Sequence, residues 1–154
     1  MKKYIRLIFV ILWMAVIFYF SNQPAVVSDE KSKFIIHLFE LLGLNLNSVL
    51  GSMADFVVRK AAHFIEYMIL FILWFDLLYG KYDLRRAIRY SIAAVFLYAC
   101  TDEFHQMFVA GRAARFTDVM IDLSGGCLGA AIRYLSLRKK GTEIEGLQED
   151  DLHK

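Results

Sequence analysis

Lysine and arginine gather at three places in this chain, and each place abuts a long apolar run. The clusters are Lys2, Lys3 and Arg6; Lys81, Arg85, Arg86 and Arg89; and Arg138, Lys139 and Lys140. Bilayer spans flanked by cytoplasmic lysine and arginine give this pattern. A nucleic-acid surface would instead collect its basic residues on one polar face. The composition agrees: 58% of the 154 residues are hydrophobic and 15% aromatic, with a mean hydropathy of +0.44. A soluble domain of this length is less apolar. One proline in the whole chain leaves no proline-rich linker, so a single compact domain is expected over 1–140. The polar, acidic stretch 141–154 reads as a flexible cytoplasmic tail.

The apolar runs predict four spans: Tyr4 to Phe20, Ala61 to Tyr79, a third beginning near Ala87, and Phe116 to Leu137. The third is the most informative. Its uninterrupted apolar stretch, Tyr90 to Cys100, falls short of the roughly 20 residues that cross a bilayer. The helix must therefore continue through Thr101, Asp102, Glu103, Phe104, His105, Gln106, Met107 and Phe108. Carboxylates facing lipid are expensive, so these side chains should face protein, water or a ligand. The basic clusters place both termini and the 80–89 loop inside, leaving 21–58 and 107–116 outside. The first span carries a basic start like that of a signal peptide, but Ser21-Asn22-Gln23-Pro24 lacks a small-x-small cleavage pattern, and an uncleaved anchor is expected.

The outer segment 21–58 is not plain linker. Ser28-Asp29-Glu30-Lys31 resembles a helix start. Phe34, Ile35, Leu38, Phe39, Leu41 and Leu42 supply a broad apolar face, and Gly43 a stop. An extracytoplasmic amphipathic helix lying at the interface is expected, with a short soluble core helix as the alternative. The expected fold is thus all-α, a polytopic membrane protein of about four transmembrane helices plus one interfacial helix. Cys100 and Cys127 both lie in apolar helical stretches and are expected as unpaired, lipid-shielded core residues.

Three spans carry ionisable groups near the same outer end. At about 100° per residue, Arg59, His63 and Glu66 share a stripe on the second span, with Lys60 at its edge. On the third, Asp102, His105 and Gln106 share a stripe while Glu103 points elsewhere; on the fourth, Asp118, Asp122, Gly125 and Gly129 share a face. Gly125, Gly126 and Gly129 admit a close neighbouring helix, which draws the aspartates toward the bundle axis. Arg112 and Arg115 add positive charge, and Ser21, Asn22 and Gln23 add hydrogen-bonding groups at the same level. Arg59, Lys60, His63, Glu66, Asp102, Glu103, His105, Gln106, Arg112, Asp118 and Asp122 are the candidate ligand-binding residues. A salt-bridge network that only staples the helices, for instance Arg112 or Lys60 with Asp118, is the plainer alternative. Asp76, near the inner end of the second span, is expected to pair with Arg85 or Arg86.

At these residues the chain resembles the VanZ-like family of small bacterial membrane proteins. The blocks that carry the resemblance are Phe20-Ser21-Asn22-Gln23-Pro24, Arg59-Lys60-Ala61-Ala62-His63-Phe64-Ile65-Glu66-Tyr67, and Thr101-Asp102-Glu103-Phe104-His105-Gln106-Met107-Phe108 with Gly111-Arg112. The last is Asp118-Val119-Met120-Ile121-Asp122 followed by Gly125 and Gly129. They come in the family's order over most of residues 4 to 137. The resemblance implies a bacterial cell-membrane protein and a link to low-level teicoplanin resistance.

Three functions compete. The first is binding or transport of an amphiphile, a membrane lipid or lipid-linked envelope precursor, with Arg59, Lys60 and Arg112 holding its phosphate or carboxylate. The second is an intramembrane enzyme acting on a lipid headgroup, with His63, Glu66, Asp102 and His105 as candidate acid–base groups. His63, Glu66, His105, Asp118 and Asp122 could also ligate a divalent metal for such an enzyme, but His63-Phe64-Ile65-Glu66 is not the two-histidine helical zinc motif, so the expectation is no metal or other cofactor. The third is an accessory subunit, with a partner helix or a second copy docking on Gly125 and Gly129. A nucleic-acid partner is not expected.

Overall fold

In the computed structural model, which describes the backbone of residues 2–152 and the side chains of residues 3–138, the chain is helical throughout, with no strand among the described residues. Helix α1 covers Lys2–Ser21, α2 Ala25–Leu41, α3 Leu46–Leu50, α4 Ala54–Leu78, α5 Leu84–Gln106 and α6 Phe116–Leu152. A 3-10 turn, Gly51–Met53, joins α3 to α4.

Each boundary has a local cause. Pro24 stands at the N-cap of α2, where its fixed φ and missing N–H cost nothing. The helix therefore starts three residues before the expected Ser28, whose carbonyl now sits inside it and accepts from the Ser32 hydroxyl. Gly43, with φ of 84°, ends α2 as expected. Asn45 caps α3 by accepting from the Ser48 amide at 3.0 Å. Helix α6 runs unbroken through most of the 141–154 stretch, but the side chains from 139 onward lie outside the described residues.

The long helices α4, α5 and α6 form the centre. Tyr67, Leu70, Phe71, Phe75, Ala87, Val95 and Ala99 are almost wholly buried between them, and Ile17 closes the cluster from α1. Glycine sets the spacing of α4 and α6: Gly125 and Gly129 lie directly beneath the carbonyls of Phe64 and Met68. The glycine face thus packs on α4 of the same chain. This corrects its expected availability to a partner helix or second copy, because backbone already fills it.

Helix α1 is held by side chains reaching its backbone or from it. The Trp13 indole donates to the Glu66 carbonyl at 2.9 Å, and the Tyr98 hydroxyl to the Met14 carbonyl at 2.6 Å. These bonds fix α1 in register, so that Ser21 arrives beside the C-terminal end of α5.

Two helical segments, Lys3–Ser21 and Leu46–Leu78, are long and apolar enough to cross a membrane. The outer surface of α1 is apolar: Ile8, Phe9, Ile11 and Leu12 are all exposed, each by more than half. A continuous patch of this kind belongs against lipid or another apolar surface.

Two expectations need correcting. Asp76 pairs with Arg133 of α6, not with Arg85 or Arg86, because the close α4–α6 packing carries Arg133 to it. Arg6 adds a bond to the Asp76 carbonyl, while Arg86 pairs locally with Asp83. Cys100 and Cys127 are both free, but Cys127 is exposed on α6 and not in the core, since the glycines beside it take the inward face.

Candidate functional site

The ionisable residues meet where the C-terminal ends of α1 and α5 lie beside the N-terminal ends of α4 and α6. Asp102, Glu103, Gln106 and Asp122 are buried. Arg59, Lys60, His63, Glu66, Arg112 and Asp118 are partly buried.

Two of these charges are neutralised locally. Lys60 pairs with Asp118 at 2.6 Å. Arg59 pairs with Asp29, which α2 brings over α4. The first pair is one the stapling alternative named, so part of the cluster does tie helices together.

Arg112 is different. Its Nε donates to the Gln23 carbonyl at 2.9 Å and its Nη1 to Gln106 Oε1 at 3.3 Å, while Nη2 reaches the Phe20 carbonyl at 3.5 Å. All three acceptors are neutral, and among the described residues no carboxylate comes within 4 Å of it. Burial pushes this guanidinium below its usual value, and the neighbouring Arg59 pushes the same way. Arg112 also locks the outer segments together, assisted by the bond from the Ala25 amide to the Ala110 carbonyl at 3.1 Å.

On α5 Gln106 donates to the Ser21 hydroxyl at 2.7 Å and to Asp102 Oδ2 at 3.3 Å. Among the described residues, Asp102 Oδ1 and the Tyr67 hydroxyl are both buried with no hydrogen-bond partner within 3.5 Å, yet Tyr67 and Ser21 lie close enough to turn their hydroxyls toward the Asp102 carboxyl. Glu103, off the stripe on which Asp102 and Gln106 lie, is nonetheless part of the site: it is buried, accepts from the Arg115 amide and lines the polar cavity with Lys60 and Asp118. His105 turns toward α1: its Nε2 meets Asn22 Oδ1 at 3.0 Å and its ring packs on Phe18. It thus faces α1 and not His63 and Asp122.

His63 is the central group. Its Nδ1 lies 3.8 Å from Asp122 Oδ1 and 3.9 Å from Glu66 Oε2. These separations are too long for hydrogen bonds. His63, Asp102 and Asp122 each offer a ligand atom, and those atoms all lie within 4.8 Å of one another, making them the group best placed to hold a metal ion.

Two cavities open at this end. One, of about 280 Å³, is mainly polar and is lined by Arg59, Lys60, Arg112, Arg115, Glu103 and Asp118 among others. The second, of about 200 Å³, is mainly apolar and runs past Phe20, Ile35, Val58 and Ala62. Arg59, His63 and Arg112 line both.

Ser21 stands at the level that the sequence implies, whereas Asp29 and Tyr67 are site residues that the sequence stripes do not select. Tyr67 follows His63 by four positions and so shares its face, a signal present in the helical period. Asp29 left no such signal, because only the docking of α2 on α4 brings it in.

No curated protein and no solved structure matches the chain. The sequence profile of one family, described as VanZ/LLP1, matches residues 6–137. That match contains every block quoted above and every residue of the site, and with it the chain belongs to the VanZ-like family.

Proposed function

We propose that the chain crosses the membrane four times, by α1, α4, α5 and α6, with both termini cytoplasmic. At its outer face it binds the anionic headgroup of an amphiphile, an envelope lipid or lipoglycopeptide. Binding of this kind would influence glycopeptide susceptibility, in keeping with the teicoplanin association of the family. In this arrangement α2 lies in the outer interface. Its buried side passes through Ser32 and Ile36, while Phe34, Leu38 and Leu41 look outward toward lipid.

The observation that carries the reading is Arg112. It is a half-buried guanidinium with no carboxylate partner among the described residues, placed where a polar and an apolar cavity share a wall. A phosphate or carboxylate would complete its charge through the planar fork, and an acyl chain would take the apolar side.

Native mass spectrometry of the purified protein tests this. Wild type should carry a discrete lipid-sized adduct that Arg112→Gln loses while remaining folded. An adduct that survives in the folded variant, or a wild type bare after extraction in native lipid nanodiscs, would overturn it.

A second reading, headgroup chemistry, is favoured by one observation. His63 stands between Glu66 and Asp122 at distances that place an acid and a base around one point. Turnover of a phospholipid by wild type, lost in His63→Ala, would select it.

A further inference from the structure

Deeper than Arg112, the site holds acidic groups that no basic side chain touches. Asp102 and Asp122 are 4% and 3% exposed. The cations nearby are engaged elsewhere, Lys60 with Asp118 and Arg59 with Asp29. Among the described residues, the only basic group within 4 Å of Asp122 is His63, at 3.8 Å, and Asp102 has none. Buried charge is retained where it is paired, hydrogen-bonded or bound to a metal. Pairing with a cation is not met for Asp102 among the described residues, and hydrogen bonding is met only in part: one long bond from Gln106 reaches Oδ2, the Ser21 and Tyr67 hydroxyls lie nearby, and Oδ1 has no partner within 3.5 Å.

We infer that His63, Asp102 and Asp122 form a site for a divalent transition-metal ion, one ligand from each of α4, α5 and α6. This sets aside the expectation that the chain takes no metal. The local pattern His63-Phe64-Ile65-Glu66 lacks the two-histidine zinc motif because the ligands come from three helices, and no sequence spacing records that.

The geometry suits an ion. Around a divalent metal with bonds of about 2.0–2.2 Å, neighbouring ligand atoms sit roughly 3.0–3.6 Å from each other. The His63–Asp122 separation of 3.8 Å is slightly wider, and the 4.8 Å limit on the triad exceeds that range by about 1 Å, so the side chains would close on an ion by rotating. A set of one imidazole and two carboxylates matches Zn²⁺ or Mn²⁺ better than Mg²⁺ or a thiolate-seeking ion. The Tyr67 hydroxyl beside Asp102 is placed to orient that ligand, while Glu66 faces the same His63 nitrogen as Asp122, at 3.9 Å, and so stands beside the site as a neighbouring carboxylate. His63 and Asp122 also line the polar cavity, so an ion there would face whatever enters it.

The site lies within the one proposed for the headgroup, but the inference does not depend on a lipid. Its test uses metal alone. Chelator-treated, detergent-purified full-length protein is titrated with Mn²⁺, and free Mn²⁺ is followed by its electron paramagnetic resonance signal, with Zn²⁺ as competitor.

The expected result is one ion per chain, displaced by Zn²⁺, with affinity falling at least about 100-fold in Asp102→Asn and Asp122→Asn. Asp76→Asn, at the opposite end, should bind as wild type does. Circular dichroism and a melting curve establish that each variant is folded. Where an asparagine variant does not fold, His63→Gln is measured in its place, with the same loss expected. Absence of saturable binding by folded wild type up to about 1 mM Mn²⁺ or Zn²⁺ would overturn the inference. So would unchanged affinity in the folded variants. Failure here leaves the Arg112 adduct to be judged on its own, and loss of that adduct in Arg112→Gln says nothing against the ion.

Discussion

The carbonyl oxygen of Phe64 lies where a β-carbon on Gly125 would have to go. This contact sets the distance between α4 and α6, and hence the distance between His63, one residue before Phe64, and Asp122, three before Gly125. The acidic site is drawn together by a glycine that carries no chemistry.

Gly125→Ala should therefore be destructive. The obstacle is backbone, which cannot rotate away, so the helices must separate at a cost of about 1–3 kcal/mol. Gly126→Ala should cost less, because the atom it meets at 2.9 Å is the end of the Val95 side chain. Thermal unfolding in one detergent should rank the two in that order; equal melting temperatures would refute the spacing argument.

Breaking the Lys60–Asp118 pair should cost more than removing it. Both side chains are 17% exposed, so a lone survivor keeps a charge with little water around it. Lys60→Met alone is expected to destabilise by roughly 1–3 kcal/mol, and Lys60→Met with Asp118→Leu to recover most of that. A double-mutant cycle of unfolding midpoints measures the coupling.

Arg112→Lys separates charge from geometry. Lysine keeps the positive charge but cannot reach the Gln23 carbonyl and Gln106 together through a fork. Lipid retention should fall about tenfold, which is about 1.4 kcal/mol, and the 107–115 segment should be cut faster by protease. Retention at the wild-type level would show that charge alone suffices.

At the opposite end, Asp76→Asn should be nearly silent for ligand binding. The Asp76–Arg133 pair is about one-third exposed on each side, and its loss should cost no more than about 1 kcal/mol. Loss of the lipid adduct in this variant would mean that binding responds to general loosening of the bundle.

The proposed four-span arrangement predicts a labelling pattern. With Cys100 and Cys127 replaced, a cysteine at Asn47 should react with a membrane-impermeant maleimide in intact cells, and one at Lys81 only after lysis. The reverse pattern would invert the orientation.

The sequence by itself determined the helices and the depth of the site. Apolar runs and basic clusters mark the helices α1, α4, α5 and α6, and the shortness of the Tyr90–Cys100 run predicts that Asp102 and Glu103 lie inside the bundle, where both are buried. These are one-dimensional signals, set by hydropathy and length. Which charges pair was decided only by tertiary packing. Asp76 meets Arg133 and not its neighbours in sequence, Asp29 reaches Arg59 across thirty residues, and His105 turns to Asn22 while His63 faces Asp122. Helical period tells which residues share a face. It does not tell which helix that face meets, because partner choice depends on how closely backbones approach, and here glycines on α6 decide that.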